Sequence, residues 1–310
     1  MKYISTILII TGMLFFSLSL YADDYLDSAY KVNENEFDYS FSSDDFGKTP
    51  FRTFNFFQYI FNNESPRIDI NYNFNQISID PKEFYDSFNN TPELEIKAGY
   101  VVNSEANNGF STKSNFEYLR LSTYNSQFGQ VGNANRITME GWQFGLGSTK
   151  GYGWSFGKNV SMLLYHGNNF NWHIMTFNDQ PKEYIFNNKL DKISNQFKFG
   201  NSFEAGIDIR LYNSLGINAA YEQAHIFPAH LFWYWGASKV IEEVAKSFTN
   251  NFIQKISNRN SIAGPVINFI IKNGISYGMY ELRKTNMNWP ITTESPLAIE
   301  KFKVGLTYTF

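Results

Sequence analysis

The last ten residues, Lys301-Phe302-Lys303-Val304-Gly305-Leu306-Thr307-Tyr308-Thr309-Phe310, alternate without a break between apolar and polar or small side chains. A strand turns successive side chains to opposite faces, so Phe302, Val304, Leu306, Tyr308 and Phe310 share one face. Chain ends usually fray, and a strand that runs to an aromatic last residue needs neighbours on which to pair. The same period of two recurs upstream. Ile68, Ile70, Tyr72 and Phe74 interleave with Arg67, Asp69, Asn71, Asn73 and Asn75. Leu94, Ile96, Ala98, Tyr100 and Val102 stand against Glu95 and Lys97. The sequence therefore predicts sheet, with one face meeting an apolar medium and the other a polar one.

Less regular strands are expected near 114–124, 137–147, 151–165 and 170–178, separated by clusters of Asn, Gly, Ser, Asp and Pro that supply turns. Gly141 to Gly157 holds six glycines among Trp142, Phe144, Tyr152, Trp154 and Phe156, and reads as strand–turn–strand. A phosphate cradle would need a helix after it. Residues 203–212 and 216–227 form the clearest hairpin. Ile207, Ile209 and Leu211 lie on one face; Glu204, Asp208 and Arg210 lie on the other. Opposed residues must share a face. That condition selects the three-residue turn Asn213-Ser214-Leu215, pairing Leu211 with Ile217 and Ile209 with Ala219. Asp208 then stands opposite Ala220, with Glu222 diagonal to it.

Residues 236–258 break the rhythm. Val240, Ile241, Val244, Ala245, Phe248, Phe252 and Ile256 recur at three and four, which predicts a helix. Glu242 and Lys246 suit an i,i+4 pair. Residues 265–273 read equally as a second helix or as strand. Such an insertion could plug a lumen, cap a mouth, lie on a membrane surface, or pack on a soluble core.

At the other end, residues 1–22 read as a secretory signal. Lys2 is the only charge, Ile7 to Leu20 is mostly apolar, and Leu20-Tyr21-Ala22 precedes Asp23-Asp24. The apolar run is shorter than the roughly twenty residues of a spanning helix. Residues 23–48 follow as an acidic segment, and 49–310 as the sheet domain. The chain holds no cysteine, which removes disulfides, thiolate metal sites and cysteine nucleophiles. Mean hydropathy is −0.34 with 31 Phe and 20 Tyr. That balance suits a sheet in which every second residue faces lipid. A formal charge of −3 gives no reason to expect nucleic acid as a partner.

The export signal, the alternating Tyr- and Phe-rich strands and the closing Tyr308-Thr309-Phe310 together resemble a bacterial outer-membrane β-barrel protein. The resemblance is to the class and reaches no particular family. It implies an all-β fold, a transmembrane antiparallel up-and-down β-barrel, here of about ten to twelve strands, with one helical insertion near 236–258. It also implies the outer membrane of a Gram-negative-type bacterium as location, and outer-membrane lipids and the barrel-assembly machinery as partners. Tyr308 and Phe310 would form the assembly signal.

In such a barrel Glu204, Asp208, Arg210 and Glu222 would face the lumen. They would either tune passage of ions, grip a small polar solute, or fill a narrow interior with ion pairs, the last being the simplest demand of a narrow barrel. No cofactor is expected. Glu222, His225 and His230 invite a metal reading, but 222 and 225 fall on opposite faces of a regular strand, so no metal is expected. His230 falls in the aromatic run from Pro228 to Trp235. The function expected is solute passage, solute binding or an envelope structural role. Two rival readings are a lipid- or glycan-modifying barrel enzyme, pairing His166 or His173 with Ser155 or Ser161, and a secreted soluble β-protein that binds a ligand.

Overall fold

In the computed structural model, eight antiparallel strands join in sequence order and close on themselves as β1-β2-β3-β4-β5-β6-β7-β8. They are β1 (Ser65–Ser78), β2 (Thr91–Glu105), β3 (Ser111–Asn125), β4 (Thr138–Phe156), β5 (Val160–Asn178), β6 (Phe197–Leu211), β7 (Leu215–Ile226) and β8 (Leu297–Thr309). The structure describes residues 64–78, 88, 91–105, 111–125, 137–156, 159–178, 190–212, 214–260 and 262–310. The signal expected at 1–22, the acidic segment expected at 23–48 and the expected start of the barrel domain at 49 lie outside these residues.

The terminal strand finds its neighbours on both sides. Leu306 stands opposite Ile70 of β1 and Ile217 of β7, so the last strand closes the ring. Following directly paired residues from Ser65 through Val101, Phe116, Thr149, Gly167, Glu204, Glu222 and Lys301 returns to β1 at Asn75. The register thus advances ten residues per circuit, the stagger that tilts the strands of a closed barrel. The connections 106–110, 157–159 and 212–214 at one end are short. Those at the other end, 79–90, 126–137, 179–196 and 227–296, are long.

Alternation sorts the side chains as expected. Ile70 and Leu306 on the outside are 51% and 66% exposed, whereas Asn71, Lys301 and Lys303 on the inside are at most 1% exposed. The strand count is a correction: eight, not ten to twelve. The segments expected at 137–147, 151–165 and 170–178 are two strands of 19 residues each, with the turn at 157–159. Five of the six glycines, from Gly141 to Gly153, lie within β4. A side chain at Gly147 would strike the Tyr118 ring and the Asn169 side chain, so glycine there makes room inside the barrel.

Two helices fill the longest connection, α1 (Phe232–Arg259) and α2 (Ala263–Thr285). The open question at 265–273 resolves as helix. Pro265 sits in the first turn of α2, where a missing N–H costs nothing, and Asn260 Oδ1 accepts from the N–H groups of Ile262 and Ala263. Glu242 and Lys246 pair at 2.6 Å as their spacing predicts. The hairpin neither fills the lumen nor closes its mouth; it lies on the outer wall, with α2 against β4, β5, β6 and β7. Tyr280 stacks on outward-facing His225 at 4.3 Å, and Lys284 pairs with outward Glu300 at 3.1 Å. Among the described residues no helix is long and apolar enough to cross a membrane.

Candidate functional site: an ion-paired lumen

Every strand projects its polar phase into the barrel. Lys198, at the long-connection end, donates to the Pro228 carbonyl, and twelve other charges fall into two neutral groups. In the central group Lys97, Arg120, Lys301 and Lys303 meet Glu93, Glu95, Glu204 and Glu222. Lys303 Nζ lies 2.8 Å from Glu95, 3.0 Å from Glu204 and 2.6 Å from Glu222. Arg120 spans Glu93, Glu95 and Glu222, the last at 2.7 Å. Lys301 reaches Glu93 at 2.9 Å and donates to Tyr124 and Gln143. Towards the short-turn end, Arg67 and Arg210 share Asp208, and Arg67 also holds Asp69 at 2.7 Å. Arg210 donates further to Asn103 and Ser114.

Four bases thus meet four acids, and two meet two, with all twelve residues at most 9% exposed. Burial makes such pairs expensive to form but far more expensive to break, because a lone charge would remain in a dry interior. A cavity beside Arg67, Lys97, Glu204 and Asp208 is about 10 Å³, room for one water at most. At the long-connection end the lumen is closed by an apolar cluster. Ile77, Met139, Met175, Ile226 and Ile299 point inward beneath Phe88, Leu190 and Ile193. Val101, Phe116 and Tyr118 form a smaller cluster inside the barrel, where Arg67 and Lys97 lie over the Phe116 and Tyr118 rings.

All four residues expected in the lumen are there, and each is ion-paired. Their register needs one correction. Leu211 pairs with Leu215 and Ile209 with Ile217, so the turn is Tyr212-Asn213-Ser214. Tyr212 adopts a φ of 54°, a left-handed conformation that sequence patterns assign to Gly or Asn. Glu204 consequently stands directly opposite Glu222, and Asp208 opposite Asn218 rather than Ala220. The pair of acids is tolerated because Lys303 bridges them. Arg67, Asp69, Glu93, Glu95, Lys97, Arg120, Lys301 and Lys303 lie outside the expected set, yet each occupies the polar phase of an alternating strand. That phase, followed round all eight strands, is the signal that finds them.

The remaining candidates do not converge. His166 points outward, whereas Ser155, paired opposite Ser161, points inward and shares a hydrogen bond with Thr112 at 2.7 Å. His173 points inward near the apolar lid, 3.3 Å from the Tyr124 hydroxyl. Glu222 faces the lumen and His225 the outside, so those two cannot share an ion. Tyr308 and Phe310 lie outside on the closing strand, with ring centroids 4.7 Å apart, and the Phe310 N–H donates to Pro66.

No family model matches the chain, and no curated protein matches it in sequence. Solved structures similar to it include Neisserial surface protein A, with 9% identity and a TM-score of 0.35 over 80% of this chain and 97% of that one. Ail, the attachment invasion locus protein of Yersinia pestis, gives 11% identity and a TM-score of 0.29 over 79% and 98%. A major outer membrane protein from Thermus thermophilus gives 10% and 0.27 over 79% and 99%.

Proposed function

We propose that this chain is an integral outer-membrane barrel of a Gram-negative-type bacterium, and that it serves the envelope as a structural or surface-binding element rather than as a conduit. The observation that carries the reading is the inverted distribution of side chains. Apolar groups cover the outside of a closed sheet, and the inside is packed with ion pairs under an apolar lid. Closed sheets are one of the two ways a chain can satisfy its backbone in hydrocarbon. Short connections at one end and long ones at the other fit the periplasmic and external ends of such barrels. Passage of solute would need several of the buried ion pairs to part at once.

The outward Tyr308 and Phe310 on the closing strand support recognition by the barrel-assembly machinery. Residues 1–22 support export through a cleaved signal. The purified barrel, folded into a planar bilayer, is expected to give no sustained conductance. Stable channels from the unmodified protein would overturn the sealed-lumen reading and return solute passage to first place.

A further inference from the structure

The outer wall is not uniform. On β1 and β8 the outward residues are apolar from Ile68 to Phe74 and from Phe302 to Phe310. On β4 the outward run passes from Trp142 and Phe144 through Ser148 and Lys150 to Trp154 and Phe156. On β5 it passes from Met162 and Leu164 through His166 and Asn168 to Phe170 and Trp172. The register sets Lys150 opposite His166 and Ser148 opposite Asn168, so four polar groups make one window halfway along the wall. Facing hydrocarbon, such a window would be costly.

The hairpin covers it. Lys239 lies 3.5 Å from Asn168, α2 packs on β5, and His166 and Asn168 are only partly exposed. The neighbouring outward residues Tyr152 and Leu164 are only 6% and 3% exposed.

The hairpin is itself inverted relative to a helix pair in water, which buries its apolar stripe. Here the buried seam holds a single carboxylate, Glu242, shared by Lys239 at 3.0 Å, Lys246 at 2.6 Å and Arg283 at 2.5 Å. The exposed face carries Trp233 at 83%, Phe248 at 79%, Ile270 at 58% and Phe252 at 57%. Water would penalise the exposed apolar face and hydrocarbon favours it, while the charged groups are held inward around Glu242, as polar groups in a membrane must be. The exposed stripe from Trp233 to Phe252 covers about 28 Å at about 1.5 Å per residue, against a hydrocarbon core of about 30 Å. Beyond it the sequence turns polar through Lys255 and Arg259 to Asn260.

We infer that α1 and α2 are embedded in the bilayer against β4–β7, sealing the polar window on one side and presenting Trp233, Phe248, Phe252 and Ile270 to lipid acyl chains. The occupant of this face is lipid because the face continues the apolar band of the barrel, and the inference rests on the outer-membrane reading above. Neither helix meets the demands of a lone spanning helix. Each is half polar, and that half is satisfied between the two helices and against the barrel.

The native chain has no cysteine, so single-thiol variants are unambiguous. Phe248→Cys, Ile270→Cys and, on the barrel itself, Leu306→Cys are labelled with a fluorophore and folded into phosphatidylcholine vesicles, heat-modifiable gel migration confirming the fold. Labels at 248 and 270 are expected to lose fluorescence to doxyl-labelled acyl chains as fully as the label at 306, with little loss to iodide. Iodide quenching at 248 and 270 alone would place the hairpin in water and overturn the inference. Protection from both quenchers would mean a second copy covers the face, and would overturn it equally. Iodide quenching at 306 as well would instead strike the membrane reading on which it rests.

Discussion

The lumen and the hairpin seam both bury charge beneath an apolar exterior, but they balance it differently. In the lumen, acids and bases match four to four and two to two, and a closed backbone ladder surrounds them. In the seam three bases converge on Glu242, with only the half-exposed Glu243 to assist. The lumen is held by hydrogen-bonded strands on every side, whereas the seam joins α1 to α2, and the pair meets the finished wall through side-chain contacts such as Lys239 to Asn168 and Lys284 to Glu300. The comparison teaches that the barrel's fold does not depend on the seam, while the packing of the hairpin does.

The largest effect should follow from breaking the central lumen group. Arg120→Met leaves Glu93, Glu95 and Glu222 short of a base, and should cost about 3–5 kcal/mol, read as a lower denaturant midpoint of the folded barrel in micelles. A loss under about 1 kcal/mol, the scale of an exposed pair, would mean that water reaches the lumen and that the two regions are alike. Glu242→Gln is the matching change in the seam. Leaving three buried bases without their carboxylate should cost the hairpin about 3 kcal/mol. It should appear as faster amide exchange or proteolysis in α1 and α2, with the barrel's own midpoint unmoved. A shift of both together would erase the distinction. Smallest of the three, Tyr280→Leu keeps apolar bulk but removes the stack on His225, and should loosen the hairpin by about 0.5–1.5 kcal/mol. Hydrogen exchange across α2 reads that change, and an unchanged rate would locate the hairpin's packing wholly in the ionic seam.

What the sequence disclosed follows from the period of each element. A strand's period of two separates inside from outside at every residue, so the faces of 68–74, 203–211 and 302–310 were legible, as were Glu204, Asp208, Arg210 and Glu222 in the lumen. The count of strands was not. Gly147 and its neighbours read as turn because a glycine that yields space to Tyr118 across the barrel is indistinguishable, in one dimension, from a glycine that bends the chain. The turn at Tyr212 was misplaced by one residue because a left-handed tyrosine carries no local signature. The helical stripe from Val240 to Phe252 was visible, yet its direction was not. Periodicity shows that two faces differ, and only the polar window on β4 and β5, brought alongside by folding, reveals which medium each face meets. The signal at 1–22 and the acidic segment at 23–48 lie outside the described residues and stand as expectations.

The central claim, hydrocarbon outside one sealed sheet, is tested most directly by separating the expressed protein from whole cells. Membranes are washed in alkaline carbonate and floated on a density gradient. The protein should rise with the outer-membrane fraction and need detergent for release. Recovery as a monodisperse species in the periplasmic wash, without detergent, would contradict it.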